Sequence, residues 1–273
     1  MTSLPRIVDF GPEHLTAAVV LSASAGWSHR YEDWALLQSL SDGRAALLDD
    51  RLVGTAFRTD FGPEMSCVNM IIVAEDVQRQ GLGERLTTSI LQADEKRGYR
   101  LVATSSGKCL YEKLGFRTTS HIMKLEGRVR AAPIIRGASG AERADRDIIT
   151  ALDAKSFGGD RAALVQWMFD NAEVAVAREN GSITSFATLR RFGRGHVIGP
   201  VVASSIGAAQ AVISRLAAQV PNEPLRLDVA EDSGLAPWLK TIGLSRTDRS
   251  SIMGRGDRGS SQNYVALFSQ GLG

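Results

Sequence analysis

Strand-like and helix-like patterns alternate along the first half of the chain. Four stretches have apolar residues at every second position or in a continuous run, which is typical of half-buried and buried strands. These stretches are residues 6–10, 45–49, 51–60 and 65–73. The last of them is almost continuously apolar, which favours a central strand that is covered on both faces.

Helical periodicity fills the intervals between these strands. Three segments repeat their apolar positions every three to four residues, and they are residues 12–24, a segment from near Tyr31 to Gly43, and residues 82–96. A strand at 100–104, a short helix at 108–114 and two closing strands within 116–125 follow. Interleaved strands and helices of this kind predict an α/β fold with a sheet between layers of helices.

The second half of the chain repeats the pattern of the first. A shift of 126 residues places Ile71 on Val197 and Leu86 on Val212, and later matches at shifts of 128 and 130 keep the same order. We therefore expect two domains of the same kind, 1–129 and 130–273. Residues 255–261 are rich in Gly, Ser and charge and predict a loop, and residues 263–269 are a candidate for one further strand.

Composition and charge exclude several classes of protein. The 273 residues carry a net charge of +2, too small to indicate binding to nucleic acid or to an anionic membrane surface. Neither a membrane-spanning run nor a secretion signal is recognisable, so we expect a cytoplasmic protein. Cys67 and Cys109 match no metal-binding spacing and are predicted to be small buried residues.

The segment from Val73 to Gly83 carries the chemistry. It runs from the buried strand through a loop with two glycines into a helix, whose first N–H groups are suited to bind a pyrophosphate. A dinucleotide-binding motif requires a third glycine where Leu86 stands, and a P-loop requires Lys and Ser or Thr where Glu84 and Arg85 stand. Both of these alternatives are excluded.

The same loop resembles the acyl-CoA signature of the GCN5-related N-acetyltransferases (GNATs), [QR]-x-x-G-x-[GA], through Gln78, Gly81 and Gly83. Residues 110–116, LYEKLGF, also resemble that family's helix-to-strand segment. The resemblance implies two tandem GNAT folds, each a mixed β-sheet flanked by helices. More narrowly, residues 26–34, 156–161 and 199–201 resemble segments of tandem-domain bacterial acetyltransferases of the YitH/HolE type.

The resemblance also implies an enzyme that transfers acetyl from acetyl-CoA to a primary amine by direct attack. Tyr111 falls on the family's tyrosine, the general acid that protonates the departing CoA thiolate, and a phenol is protonated at neutral pH. The residues implied in binding acetyl-CoA are Ile71, Ile72, Val73, Gln78, Arg79, Gln80, Gly81, Leu82, Gly83, Glu84 and Thr104.

The acceptor side is less well defined by the sequence. We expect a small-molecule amine, with neither nucleic acid nor membrane as a partner, and a monomer or homodimer. The candidate acceptor residues are Trp27, His29, Asn69 and Asp160, with Trp34 and Tyr31 as further aromatic walls. The candidates for the general base are Glu32, Asp33, His29, Glu64 and Asn69. A non-catalytic acyl-CoA sensor, a protein lysine acetyltransferase and a donor with a longer acyl group are the alternatives.

The second half departs from the signature. Ser204, Ala209 and Leu239 stand at the positions aligned with Gln78, Gly83 and Tyr111. We therefore expect that this half does not bind acetyl-CoA productively, and that it completes the acceptor pocket or supports the first half. Its candidate residues for a cationic acceptor are Asp160, Arg161 and Asp228.

Overall fold

In the computed structural model, which describes residues 4–91, 97–256 and 263–273, the described residues form one mixed sheet of thirteen strands. The strands are β1 Arg6–Asp9, β2 Ser41–Leu48, β3 Arg51–Asp60, β4 Met65–Val73, β5 Gly98–Ala103, β6 Arg117–Arg128, β7 Ala138–Gly140, β8 Glu173–Glu179, β9 Ser182–Phe192, β10 Gly195–Val202, β11 Pro224–Ala230, β12 Leu244–Arg255 and β13 Tyr264–Ala266. The α-helices are α1 Leu15–Ser24, α2 Tyr31–Leu40, α3 Leu82–Ile90, α4 Lys108–Lys113, α5 Arg146–Phe157, α6 Ala162–Asn171, α7 Ile206–Ala217 and α8 Ala236–Thr241.

The order of the strands is symmetric about the middle of the sheet. It runs β1-β2-β3-β4-β5-β12-β6-β11-β13-β10-β9-β8-β7. β1 to β5 therefore occupy one side and β7 to β11 the other in mirrored order, with β13 inserted between β11 and β10. Each set carries its helices at the same points of the chain. The predicted repeat is confirmed by this arrangement.

The two halves exchange their closing strands. Strand β12 of the second half pairs with β5 of the first half, from Ser251 opposite Ala103 to Arg255 opposite Tyr99. Strand β6 of the first half pairs with β11 of the second half from Arg128 to Ile122. β6 and β12 also pair with each other along most of their length. The hydrogen-bonded sheet is therefore continuous across the junction of the two halves.

The first half packs its core on both faces of its part of the sheet. Trp34 of α2 is fully buried, and it packs against Phe57 of β3 and Phe10. Gly43 of β2 lies under the Phe57 ring, where a Cβ would come within 2.6 Å of that ring. A side chain at this position would therefore push the aromatic cluster apart.

The structure corrects several predicted boundaries. The helix expected to reach Gly43 ends at Leu40, because residues 41–44 pair with β3 as the start of β2. The two closing strands expected within 116–125 are one strand, β6, because the strand that lies beside it comes from the second half. Helix α3 ends at Ile90, and the predicted residues 92–96 of that helix lie outside the described part of the chain.

The remaining predictions fall on the C-terminal segment and the cysteines. The loop predicted at 255–261 begins later, because Arg255 still belongs to β12, and residues 257–262 lie outside the described residues. A short strand, β13, falls within the predicted 263–269. Cys67 is buried as predicted, but the prediction for Cys109 is wrong, because its side chain lies on the exposed face of α4.

None of the helices among the described residues is long and apolar enough to cross a bilayer.

Candidate active site

The candidate site lies where two parallel strands of the first half separate. β4 and β5 pair only from Met65 opposite Gly98 to Cys67 opposite Arg100. Beyond Cys67 the two strands diverge, and a cavity of about 380 Å³ lies beside them. Both halves of the chain line it. The lining includes Trp27, His29, Asn69, Ile71, Thr104, Tyr111, Lys124, Glu126, Arg190, Phe192, Arg226, Asp228, Asp248, Phe268 and Gln270.

A bulge in β4 shapes the wall of this cavity. The register against β3 shifts between Asn69 and Ile72, and Met70 between them has a φ of 48°. This backbone conformation is uncommon for a residue with a long side chain. The bulge bends β4 and changes the direction of the strand beside the cavity. The Thr55 hydroxyl donates a buried hydrogen bond of 2.7 Å to the Met70 carbonyl and so holds the bulge in place.

The glycine loop at the end of β4 leads into α3 with its N–H groups uncapped. Gly81 precedes the helix with a φ of +79°, and none of the side chains that the structure describes caps the helix start. A Cβ on Gly81 would meet no described atom within 4 Å, so open space lies beside the loop in this part of the chain. Gln78 donates a hydrogen bond from Nε2 to the Val73 carbonyl and ties the loop to the strand. This geometry is suited to an anionic group such as a phosphate.

The rest of the predicted cofactor loop is arranged around this turn. Arg79, Gln80 and Glu84 are exposed, and Arg79 has a φ of 60°. Leu82 and Ile72 bury their side chains in the core, so they have only backbone groups to offer a ligand. Val73 lies next to Gly83, with its Cγ2 atom 3.7 Å from the point where a Cβ of Gly83 would stand.

The corresponding parts of the second half are closed by the chain itself. β10 and β11 pair only at His196 and Val197 before they separate, as β4 and β5 do. Strand β13 fills this gap, with Ala266 paired to both Val201 and Val229. At the start of α7, the Ser205 hydroxyl accepts a hydrogen bond from the Ala208 N–H. The groups left open in the first half are thus already bonded in the second.

Tyr111 lines the cavity as a nearly buried phenol. Its residue is 7% exposed, and burial raises the pKa of its hydroxyl to about 12. Among the residues that the structure describes, none accepts a hydrogen bond from this hydroxyl. Gly107 leaves room for the ring, because a Cβ there would stand 3.0 Å from Cε2 of Tyr111. Thr104 lies beside it and bonds through Oγ1 to Ser106 and the Gly107 N–H.

The predicted acceptor residues divide between this cavity and other places. Trp27, His29 and Asn69 line the cavity together, with the Trp27 and His29 rings 5.8 Å apart. Trp34 is instead a core residue whose indole N–H donates to Ser22, and Tyr31 is exposed. These two positions belong to the same helix, α2, but the helix presents one to the core and the other to solvent.

Two second-half candidates have local structural partners. Asp160 lies outside the cavity, where its carboxylate accepts the Ala162 N–H at the start of α6. Arg161 is buried and bonded to Asp153, to the Tyr264 hydroxyl and to the carbonyls of Leu272 and Gly273. Asp228 does line the cavity, where it is paired with Arg226.

The same geometry separates the candidates for the general base into those that line the cavity and those that do not. Glu32 is exposed, and Asp33 is buried and bound by Arg30. Glu64 lies in the β3–β4 turn and does not line the cavity. Asn69 does, but an amide cannot take up a proton at neutral pH. His29 is the titratable member of the set that reaches the cavity.

His29 is held in its neutral form. Burial lowers the pKa of its imidazole to about 4, against the raising effect of Asp33, and the charges of Arg226 and Arg190 lower it further. Its Nδ1 atom is enclosed and has no hydrogen-bond partner among the described residues. A neutral imidazole has one unprotonated nitrogen, which is able to accept a proton.

The depressed pKa of His29 predicts a loss of stability in acid. The unfolded chain binds a proton at this ring below a pH of about 6.5, whereas the folded chain does so only near pH 4. Between pH 7 and pH 4 the wild type should therefore lose about 2 kcal/mol more than a His29→Gln variant, a value reduced for the partial exposure of the ring. Urea unfolding of both proteins at the two pH values measures this difference, and equal losses would contradict the prediction.

Several cavity residues were not predicted from the sequence. Arg190, Phe192 and Arg226 come from β9 and β11, and Phe268 and Gln270 from the segment after β13. The sequence signal for Arg190 was the pair Arg190-Arg191 at the end of an apolar strand, because arginine is unusual at a buried position. The contact of these cavity residues with the region of His29 depends on the packing of the two halves, which the sequence pattern does not show.

Comparison with known families places both halves in the same group. A family model described as an acetyltransferase (GNAT) domain matches residues 42–118, and another with that description matches residues 149–269. The uncharacterized N-acetyltransferase YitH of Bacillus subtilis is 28% identical over 285 residues, which cover 100% of both chains.

Solved structures share the fold at lower identity. A putative acetyltransferase from Pyrococcus horikoshii has a TM-score of 0.82 at 21% identity, over 100% of this chain and 97% of its own. A tandem GNAT protein from the clavulanic acid biosynthesis pathway has a TM-score of 0.63 at 14% identity, over 94% of this chain and 100% of its own. The chain thus has the architecture of two tandem GNAT folds.

Proposed function

This chain belongs to the GNAT superfamily of acyltransferase enzymes, and from that premise we propose that it transfers acetyl from acetyl-CoA to the primary amine of a small molecule. The observation that carries the proposal is Tyr111, a protonated phenol without a hydrogen-bond partner among the described residues, which lines the cavity beside the separated strands.

The first half offers a place for each part of acetyl-CoA. The uncapped start of α3 and the open space beside Gly81 suit the pyrophosphate. The edge of β4 from Ile71 to Val73, which β5 no longer covers, suits the pantetheine arm. Bound there, acetyl-CoA supplies the activated acetyl group.

The chain's own residues then supply the proton transfers. Both His29 and Tyr111 line the cavity, which supports His29 as the acceptor of a proton from the ammonium of the acceptor and Tyr111 as the donor of one to the departing thiolate. The raised pKa of Tyr111 keeps the acid protonated over the whole physiological range. A pKa near 4 makes His29 a weak base, so the step is favoured for amines whose own pKa falls on entry into the cavity.

The second half is proposed to form the acceptor wall. Within the domains proposed at 1–129 and 130–273, only the first has an open cofactor cleft among its described residues. Residues 268–271 from the second half line the cavity, and Gly271 lies against Asn69 of β4. A cavity of about 380 Å³ lined by both halves favours a small acceptor over a lysine presented on a protein surface.

The test is amine-dependent release of CoA thiol. Purified protein is mixed with acetyl-CoA and a panel of small primary amines, with acetyl-CoA alone as the blank. Mass spectrometry identifies the acetylated product. Release that depends on an amine supports the proposal, whereas tight binding of acetyl-CoA without turnover of any amine in a broad panel would favour a sensor.

The closed second cleft predicts a stoichiometry. Because β13 is paired with both separated strands and Ser205 caps α7, we expect one acetyl-CoA bound per chain. Isothermal titration calorimetry of the full chain measures this ratio. Two sites of similar affinity would mean that β13 leaves its position or that the ligand binds elsewhere in the second half.

A further inference from the structure

Arg190 is a buried cation that has incomplete partners. Its side chain is 3% exposed and lines the cavity. One terminal nitrogen donates to the Phe268 carbonyl at 3.1 Å, and the other makes a long contact of 3.4 Å with the Arg191 carbonyl. Its Nε–H is enclosed and bonds to none of the described residues.

The carboxylate nearest to Arg190 is already engaged. Asp33 lies 3.6 Å from Arg190, beyond hydrogen-bond distance. Arg30 reaches the same carboxylate with two side-chain nitrogens, each at 3.2 Å, and with its backbone N–H. The Asp33 carboxylate is therefore hydrogen-bonded by Arg30 and not by Arg190.

A third guanidinium adds to the positive charge. Arg226 also lines the cavity and is paired with Asp228, which in turn accepts a hydrogen bond from Gln270. The two cavity guanidinium groups, of Arg190 and Arg226, each lie 5.2 Å from the Phe192 ring centroid.

The charges around Arg190 are only partly matched. Arg30 lies against both Asp33 and Glu32, and Arg226 is paired with Asp228. Among the described residues, Arg190 is therefore the one of the three guanidinium groups without a carboxylate within hydrogen-bond distance, while His29 beside them is neutral. Burial, with the charges of Arg226 and Arg30, lowers the pKa of Arg190 to about 10 in spite of Asp33. The aromatic rings of Phe268 and Phe192 offset part of this cost through cation–π contacts. An anion that entered the cavity would offset the rest.

The other charged residues of the lining have partners of opposite charge or lie exposed. Lys124 and Glu126 of β6 are 3.8 Å apart, and the Thr247 hydroxyl donates to Glu126. Asp248 of β12 is exposed. Among the described lining residues, Arg190 is thus the buried cation without a carboxylate within hydrogen-bond distance.

We propose that Arg190 binds a carboxylate of the acceptor, and that the substrates are primary amines bearing a carboxylate, such as amino acids and their derivatives. This inference rests on the proposed function and adds the chemical class of its acceptor. Guanidinium and carboxylate form short paired hydrogen bonds of fixed geometry, which orient a small substrate as well as hold it. Tyr111 lines the same cavity, so one small molecule is able to present its carboxylate to Arg190 and its amine to the reaction centre.

The test compares acceptors that differ only in the carboxylate. Phenylalanine is measured against phenylalaninamide and phenethylamine, and 4-aminobutanoate against butylamine, with kcat and KM from thiol release. We expect the wild type to prefer each carboxylate by at least about tenfold in kcat/KM, mainly through KM. In Arg190→Met the preference should disappear, while the affinity for acetyl-CoA stays within about twofold. Arg191→Met, an exposed neighbour on the same strand, is the matched control and should behave as the wild type.

A second measurement needs neither turnover nor a substituted protein. Calorimetry of the wild type in saturating CoA compares binding of the same carboxylates with that of their amides. Tighter binding of the carboxylates supports the inference, and equal or weaker binding overturns it even if amines are acetylated. Absence of acetylation for every amine, with carboxylates still bound at this cavity, would contradict the proposed function but not the anion site.

Discussion

Replacing Tyr111 by phenylalanine is expected to lower kcat by about 100-fold or more, because a positioned general acid contributes about 10²- to 10⁴-fold to a rate. The hydroxyl has no partner among the described residues, so its removal leaves no buried group unsatisfied and the protein should stay as stable as the wild type. The KM for acetyl-CoA should change by less than about threefold. Steady-state thiol release with a productive amine, together with thermal unfolding, measures these quantities.

The matched control for this change is Tyr31→Phe. Tyr31 is half exposed at the start of α2, so loss of its hydroxyl should leave kcat unchanged. The raised pKa of Tyr111 adds a further expectation, because an acid with a pKa of about 12 produces no alkaline fall in rate below about pH 11. If Tyr111→Phe retains most of the wild-type kcat, Tyr111 is not the acid.

Replacing Gly83 by aspartate is expected to weaken acetyl-CoA binding by about 100-fold or more. Gly83 is the second residue of α3, where a carboxylate would stand among the N–H groups proposed to hold the pyrophosphate. Like charges brought together in this way cost several kcal/mol. The fold itself should tolerate the change, because an added Cβ meets only Leu110 and Val73, at 3.4 Å and 3.7 Å. An acidic residue at a helix start adds up to about 1 kcal/mol of stability.

The second half provides the control for the same substitution. Gly207 is the second residue of α7, as Gly83 is of α3, and a Cβ there would meet only Ser205 Oγ, at 4.0 Å, among the described residues. Gly207→Asp therefore places a carboxylate at the same helix position in the closed half. Calorimetry should give wild-type affinity for this variant and weak or undetectable binding for Gly83→Asp, with thermal unfolding temperatures at or above that of the wild type for both. Similar losses in the two variants would mean that the cofactor is not held at α3.

Local pattern was sufficient to predict much of the fold. Met65–Val73 was bounded correctly because a continuous apolar run between polar turns admits few alternatives to a buried strand. The predicted helix was extended wrongly to Gly43 because the apolar positions there fit both the helical and the strand period. Pairing with β3 makes these residues part of a strand. The single strand β6 was misread as two because its neighbour β12 is more than a hundred residues away in sequence.

The parts of the site whose residues lie close together in sequence were the predictable ones. Gln78 and Gly81 form one turn before one helix, and Tyr111 shares a short segment with Leu114 and Phe116, so a motif in sequence stands for a geometry. The acceptor side joins residues such as His29 and Arg190, which are far apart in sequence. No periodicity indicates which strand of the second half will face which loop of the first. The sequence likewise does not show which charged side chains of the cavity are paired, because their partners come from other elements.

The exchange of closing strands determines when during synthesis the protein can complete its sheet. β6 pairs with β11 and with β12, and both of these strands lie within residues 224–255. β5 also depends on β12 for its second neighbour. A nascent chain that has emerged only through its first half therefore carries a twelve-residue strand with no neighbour and an open edge on β5. Unpaired edges of this kind are where growing chains associate with one another. In a chain that ended at residue 130 these strand edges would stay unpaired, whereas in the full chain they are unpaired only until β12 leaves the ribosome.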